Sequence, residues 1–162
     1  MAAYIEQNHP PEIILSSPLI RAKRTAVILQ EAIGCELQEE VDLMEFNNGI
    51  LAGLKREEAA IKYPFPEGGR PAHVPIQDGE SELEFRYRAE RIFSKILSDY
   101  KDYKRVAVVS HGGLISNLLK AFLKQHNNQE FVFATGDTGI HLLAVKEDLR
   151  IVRFLNKQEH LS

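Results

Sequence analysis

The sequence predicts an α/β protein: a three-layer α/β/α sandwich around a mostly parallel sheet, with an antiparallel hairpin at its C-terminal edge. Three observations carry this. From residue 12 onward, short apolar runs that read as buried strands alternate with stretches of helical apolar spacing. The run Val106-Ala107-Val108-Val109 is apolar at every position, as expected of a strand covered on both faces. The last two apolar runs, 140–145 and 149–154, are separated only by Lys146-Glu147-Asp148 and so read as a β-hairpin.

Taken in order, Ala2-Ala3-Tyr4-Ile5-Glu6-Gln7 reads as the tail of a helix, broken by Pro10-Pro11. Residues 12–16 read as a strand. Ser17-Pro18 opens a helix, with Ser17 as N-cap and Pro18 at the first helical position. Ala22, Ala26, Ile28, Leu29 and Ile33 mark its apolar positions, and Gly34 stops it. Residues 35–38 form a short second strand. Residues 43–53 are irregular, with Asn47, Asn48, Gly49 and Gly53 as turn residues. Residues 55–63 make a modest helix ended by Pro64.

The segment 64–75 carries four of the seven prolines, and 64–78 is expected to be a mobile lid. The clearest helix is 81–100. Ser81 and Glu84 form a capping box, and Leu83, Ala89, Ile92, Phe93, Ile96, Leu97 and Tyr100 form an apolar face. The all-apolar strand then feeds another helix through Ser110-His111-Gly112-Gly113.

A chain of 162 residues suits one domain, 1–162, with a real core. The net charge of -3 supplies no basic field for nucleic acid. No apolar run reaches the roughly 20 residues of a membrane span, so no membrane partner is expected. A lone cysteine, Cys35, excludes an internal disulfide and a cysteine-cluster metal site, and fits a cytoplasmic setting. No cofactor or metal is called for.

Ligands of open α/β sheets bind beyond the carboxyl ends of the strands. Two junctions lie there: Ser16-Ser17-Pro18, followed one turn later by Arg21, and Ser110-His111-Gly112. One offers a guanidinium, whose planar fork matches two phosphate oxygens. The other offers an imidazole beside a helix N-terminus that favours an anion. Gly112 and Gly113 admit close approach of backbone to a ligand. Alone, His111 reads equally well as a capping histidine, and an isolated Arg21 is more often a solvated helix residue. Together they favour a phosphate site.

At this point four motifs, in order, resemble those of the histidine phosphatase superfamily, the phosphoglycerate-mutase-like proteins. They are Ser17-Pro18-Leu19-Ile20-Arg21-Ala22-Lys23-Arg24-Thr25-Ala26, Leu43-Met44-Glu45-Phe46-Asn47-Asn48-Gly49, Asp78-Gly79-Glu80-Ser81, and Val108-Val109-Ser110-His111-Gly112-Gly113. The resemblance implies phosphoryl transfer through a phosphohistidine to and from a small phosphorylated substrate. Arg21 would clamp phosphate, His111 would be the second, non-nucleophilic histidine, and Glu45 would protonate the leaving alcohol. Ser17, Asn48, Glu80 and Gly112 would line the phosphate or substrate site. Such chemistry is mostly positioning and charge neutralisation.

One motif departs. The family's nucleophile stands in an Arg-His-Gly triplet on the first strand, and no such triplet occurs among the six histidines here. His9 is followed by two prolines and sits in the wrong context, His73 lies in the lid, His126 and His160 read as solvent-facing, and His141 as a satisfied strand histidine. The chain reads as beginning near the end of the family's first helix, a shortening of about forty residues. In the family that first strand lies inside the sheet, so its loss would expose edges that favour association of copies. Two readings follow: a phosphatase-type member lacking its nucleophile, or a catalytically inactive paralogue that binds phosphate ligands.

Overall fold

The computed structural model describes residues 1–126, 131–147 and 149–161. Its centre is β1 (Ile13–Ser16), every residue of which is buried. Alternation of side chains along this strand divides the core in two. Ile13 and Leu15 face one layer with Leu43, Phe85, Ala89, Ile92 and Leu114. Ile14 faces the other with Ala26 and Leu29, and with Ile5, Ile33 and Leu37 at its margin. β2 (Glu36–Glu39) and β3 (Val106–Val109) flank β1, both parallel to it and in register with it, Leu15 opposite Gln38 and Val108.

The layers are helical, as expected. α1 (Ala2–Asn8) and α2 (Ile20–Ile33) cover the Ile14 face, α4 (Glu82–Asp99) and α5 (Gly112–Phe122) the Leu15 face. α3 (Arg56–Lys62) stands apart, with no buried residue. Gly34 closes α2 in the left-handed conformation, φ 78°, that a side chain would resist. The start of α2 differs from expectation. Leu19, not Ser17, is the N-cap, because the Ser17 hydroxyl is already committed to the Leu19 N–H and to His111. The capping box of α4 forms as read, Ser81 and Glu84 satisfying each other's backbone N–H groups. Its apolar face holds at Ala89, Ile92, Ile96 and Tyr100, which lie in or against the core; Phe85 and Arg86 are buried in addition, while Leu83 and Leu97 are exposed.

β4 (Ile140–Lys146) and β5 (Leu149–Lys157) pair antiparallel. They form their own two-stranded sheet, with no ladder to the parallel one among the described residues. Of the turn between them, Asp148 lies outside the described residues. Side chains dock the pair to the body. Arg150 donates to the Ala121 and Phe122 carbonyls at the end of α5. At the other end His9 packs on Phe154, and Tyr4 stacks on His160.

Segment 64–78 contains no regular element, yet its far end is fastened: Ile76 is buried and the Gln77 carbonyl accepts from the Ile50 N–H. The lid expected over 64–78 is therefore open to solvent along most of its length, with Ile76 as its one buried residue.

Candidate active site

At the carboxyl end of the parallel sheet, the backbone itself brings the junctions together. The Ser17 N–H donates to Val109 O and the Glu40 N–H to Ser16 O, continuing both ladders one residue past the strands. The Ser110 hydroxyl donates to Leu43 O at 2.7 Å, tying the third junction to the loop ahead of Glu45.

His111 sits at the N-cap of α5 and is nearly inaccessible. Arg21 Nε lies 3.0 Å from its Nδ1, and Ser17 Oγ lies 2.8 Å from its Nε2. A guanidinium N–H can only donate, so Nδ1 accepts and the single proton of the neutral ring rests on Nε2. Burial and then the Arg21 charge hold the His111 pKa below the usual histidine range, with Glu45 opposing and Arg88 reinforcing the shift. The proton on Nε2 points at Ser17, so in this arrangement His111 donates to the serine hydroxyl rather than accepting its proton. Arg21 is exposed, and its bond to His111 uses Nε alone.

Glu45 approaches from the loop between β2 and α3. Its Oε2 accepts from the Gly113 N–H at 3.0 Å, and its Oε1 from the Phe46 N–H at 2.9 Å. A carboxylate thus rests on the first turn of α5, where the helix dipole favours negative charge. Phe46 anchors the loop by an edge-on contact with Phe85, ring centroids 5.2 Å apart.

Arg88 was not evident in the sequence as a site residue, and it holds this loop in place. Its guanidinium donates to the carbonyls of Asp42, Met44 and Glu45 and to both oxygens of Glu80, and lies 4.9 Å over the Phe85 ring. Glu80 also accepts from the Asn47 N–H at 2.8 Å. The structure thus places Glu80 as a brace of the Glu45 loop, with no bond to Arg21 or His111. Asn48 is exposed, and its amide turns back to the Phe46 carbonyl. Arg21, Ser17, His111 and Glu45 gather at one site. Nothing lies within 4 Å of where a side chain on Gly112 would begin.

The other five histidines are engaged or remote. His9 and His160 belong to the aromatic cluster around Tyr4, so His160 is half-buried rather than solvent-facing as read. His73 and His126 are exposed. His141 bonds Thr135 and the Asn156 N–H, as a satisfied strand histidine should.

A parallel sheet carrying an arginine, a histidine and a carboxylate at its carboxyl end defines an α/β protein with a polar, mixed-charge site beyond its strands. More particularly, residues 1–158 match the model of the histidine phosphatase superfamily (branch 1), and the chain belongs to that family. It is 31% identical over 115 residues to a probable phosphoglycerate mutase of Salmonella arizonae, covering 68% of this chain and 52% of that protein. It is 27% identical over 156 residues to phosphoserine phosphatase 1 of Hydrogenobacter thermophilus, covering 93% and 72% respectively. The chain spans about half the length of several of these relatives. A mycobacterial glucosyl-3-phosphoglycerate phosphatase solved with inorganic phosphate superposes with a TM-score of 0.81 at 25% identity, over 99% of this chain and 84% of that one. The alpha-ribazole phosphatase of Shigella flexneri shares the fold, with a TM-score of 0.75 at 20% identity over 96% and 78%. No helix among the described residues is long and apolar enough to cross a membrane.

Proposed function

We propose that this chain is the phosphate-handling body of a phosphatase that acts on a small phosphorylated metabolite in the cytoplasm. In this reading a phosphohistidine forms on a nucleophile that the 162 residues do not include. The observation that carries it is the Arg21–His111 pair at the N-terminus of α5, with Glu45 beside it. Among the described residues Arg21 bonds through Nε alone, so its two NH2 groups suit two phosphoryl oxygens. Ser17 accepts from both Leu19 and His111, which leaves its own hydroxyl proton to donate. Glu45 is the group to protonate a departing alcohol. The solved relative that carries inorganic phosphate supports the ligand class.

None of the other five histidines is bonded to Arg21, Ser17, His111 or Glu45. That observation favours a second reading for the chain on its own: a binder of phosphate ligands that does not turn them over. We also propose that copies associate through the edges of β3 and β4 that lack a partner strand among the described residues.

The test is a pair of assays. Inorganic phosphate should bind the wild-type chain, and Arg21→Ala should weaken that binding about tenfold or more, as expected for loss of a charge-assisted pair. Hydrolysis of p-nitrophenyl phosphate should be no faster than by His111→Ala. A version extended upstream to supply an Arg-His-Gly strand should be active without added metal. Robust turnover by the 162-residue chain that disappears in His111→Ala would make His111 the nucleophile and overturn the assignment.

A further inference from the structure

The two glycines after His111 have different surroundings. A Cβ on Gly112 would meet nothing within 4 Å, whereas a Cβ on Gly113 would stand 2.5 Å from Glu45 Oε1 and 3.2 Å from Oε2. Gly113 has no left-handed φ to require glycine. It is the second residue of α5, a position where glycine costs the helix and alanine would favour it. Local backbone chemistry therefore gives no reason for glycine here.

The reason lies in a residue 68 positions away. The first N–H groups of a helix have no partner within it, and the usual remedy is a side chain at the N-cap. His111 occupies the N-cap of α5 but makes no side-chain cap bond, because its ring is engaged by Arg21 and Ser17. The Gly113 N–H is satisfied instead by Glu45 Oε2. To reach it, the carboxylate must lie over the Gly113 Cα, in the space that any larger residue would fill.

The geometry points to Gly113 as a positioning residue: its bare Cα is the seat that fixes the Glu45 carboxylate on the first turn of α5, beside His111. The inference rests on the assignment of Glu45 as proton donor for its functional meaning, though the contact itself does not. Glu45 is the far end of a flexible side chain. A methyl group at 113 would therefore displace the carboxylate and leave the helix standing. The displaced carboxylate gives up its bond to the Gly113 N–H and its place next to His111. Without Glu45 there is nothing to displace, and alanine at 113 would simply improve the helix.

The test is a double-mutant cycle on the full chain, with an NMR signature. Gly113→Ala alone should lower Tm, because the lost charge-assisted bond outweighs the gain in helix propensity. The same substitution in a Glu45→Ala background should raise Tm, a reversal of sign. The Gly113 amide proton should shift upfield in Glu45→Ala, and Glu45→Gln, whose side-chain oxygen still accepts, should recover part of the shift. If Gly113→Ala fails to fold, recovery of folding by Glu45→Ala supports the seat, and no recovery overturns it. Equal Tm shifts in both backgrounds, or a Gly113 amide indifferent to Glu45, also overturn it. These readouts require no phosphate, so failure of phosphate to bind would count against the proposed function alone.

Discussion

His111 holds one proton fewer in the folded protein than solvent would give it in mildly acid conditions. Its pKa is depressed by burial and by Arg21, so near the ordinary histidine value of about 6.5 the unfolded chain binds more protons than the folded one. Its contribution to stability is therefore complete above that value and is lost as pH falls through the lower, folded pKa. Urea unfolding followed from about pH 7.5 down to about pH 5 should show declining stability, and His111→Gln should make the decline shallower. His141 is depressed by burial as well and acts with the same sign, so part of the slope should persist. An unchanged slope in His111→Gln would mean the imidazole is not held neutral.

Also at this scale, the sequence exposed some site residues and hid others. Arg21 and His111 stand at junctions that strand–helix alternation marks, Glu45 in an irregular loop that only the family motif marked, and the structure gathers them. Arg88 stood in plain view on the best helix, yet three of its five acceptors are carbonyls from residues 42–45. Carbonyl partners leave no trace in residue type, so nothing local announced them. Ser17 was read as a cap because serine before proline usually is one. Its hydroxyl instead answers to His111, 94 positions away.

Among the elements, α4 shows how far periodicity reaches. Its limits were legible because the capping box is a local signal, and its stripe was legible at Ala89, Ile92, Ile96 and Tyr100 but not at Phe85 and Arg86. Leu83 and Leu97 are apolar but stand off the line through Phe85, Ala89 and Ile92. Arg86, polar by type, is buried because it bonds Glu90 and the Gln125 carbonyl. The capping box itself is testable. Ser81 is buried, and its hydroxyl both accepts from the Glu84 N–H and donates to Glu84 Oε2. Ser81→Ala should cost about 1–2 kcal/mol, read as a fall in Tm of roughly 2–8 °C for a domain of this size. Ser81→Thr should retain most of the stability. Equal losses in the two variants would show that the hydroxyl is not the source.

At the scale of the whole molecule, the described residues place five strands in two sheets. β3 is apolar throughout, as an interior strand should be, yet β1 is its only ladder partner among the described residues. The alternation of elements revealed the class and the hairpin, but no local pattern says whether a hairpin joins its neighbour's ladder. Unpaired edges of apolar strands are templates for further pairing. Light scattering on a dilution series should therefore show mass rising with concentration above that of one 18.4 kDa chain. A monomer at every concentration would overturn association through β3 and β4.

The clasp between the two loops beside the site has one more consequence. Asn47 O and Gln77 O accept from the Glu80 and Ile50 N–H groups, and side chains at Gly49 and Gly79 would collide with the opposing backbone. The chain between them is thereby drawn into a ring whose neck is shut by main-chain bonds. What lies beyond the neck, α3 and the proline-rich stretch, adds no buried side chain before Ile76. Lengthening a closed loop costs only about 0.6 kcal/mol for each doubling. The ring is in effect an interchangeable cassette: a change in the length or content of what it encloses leaves the main-chain neck, and with it the loop that carries Glu45, in place.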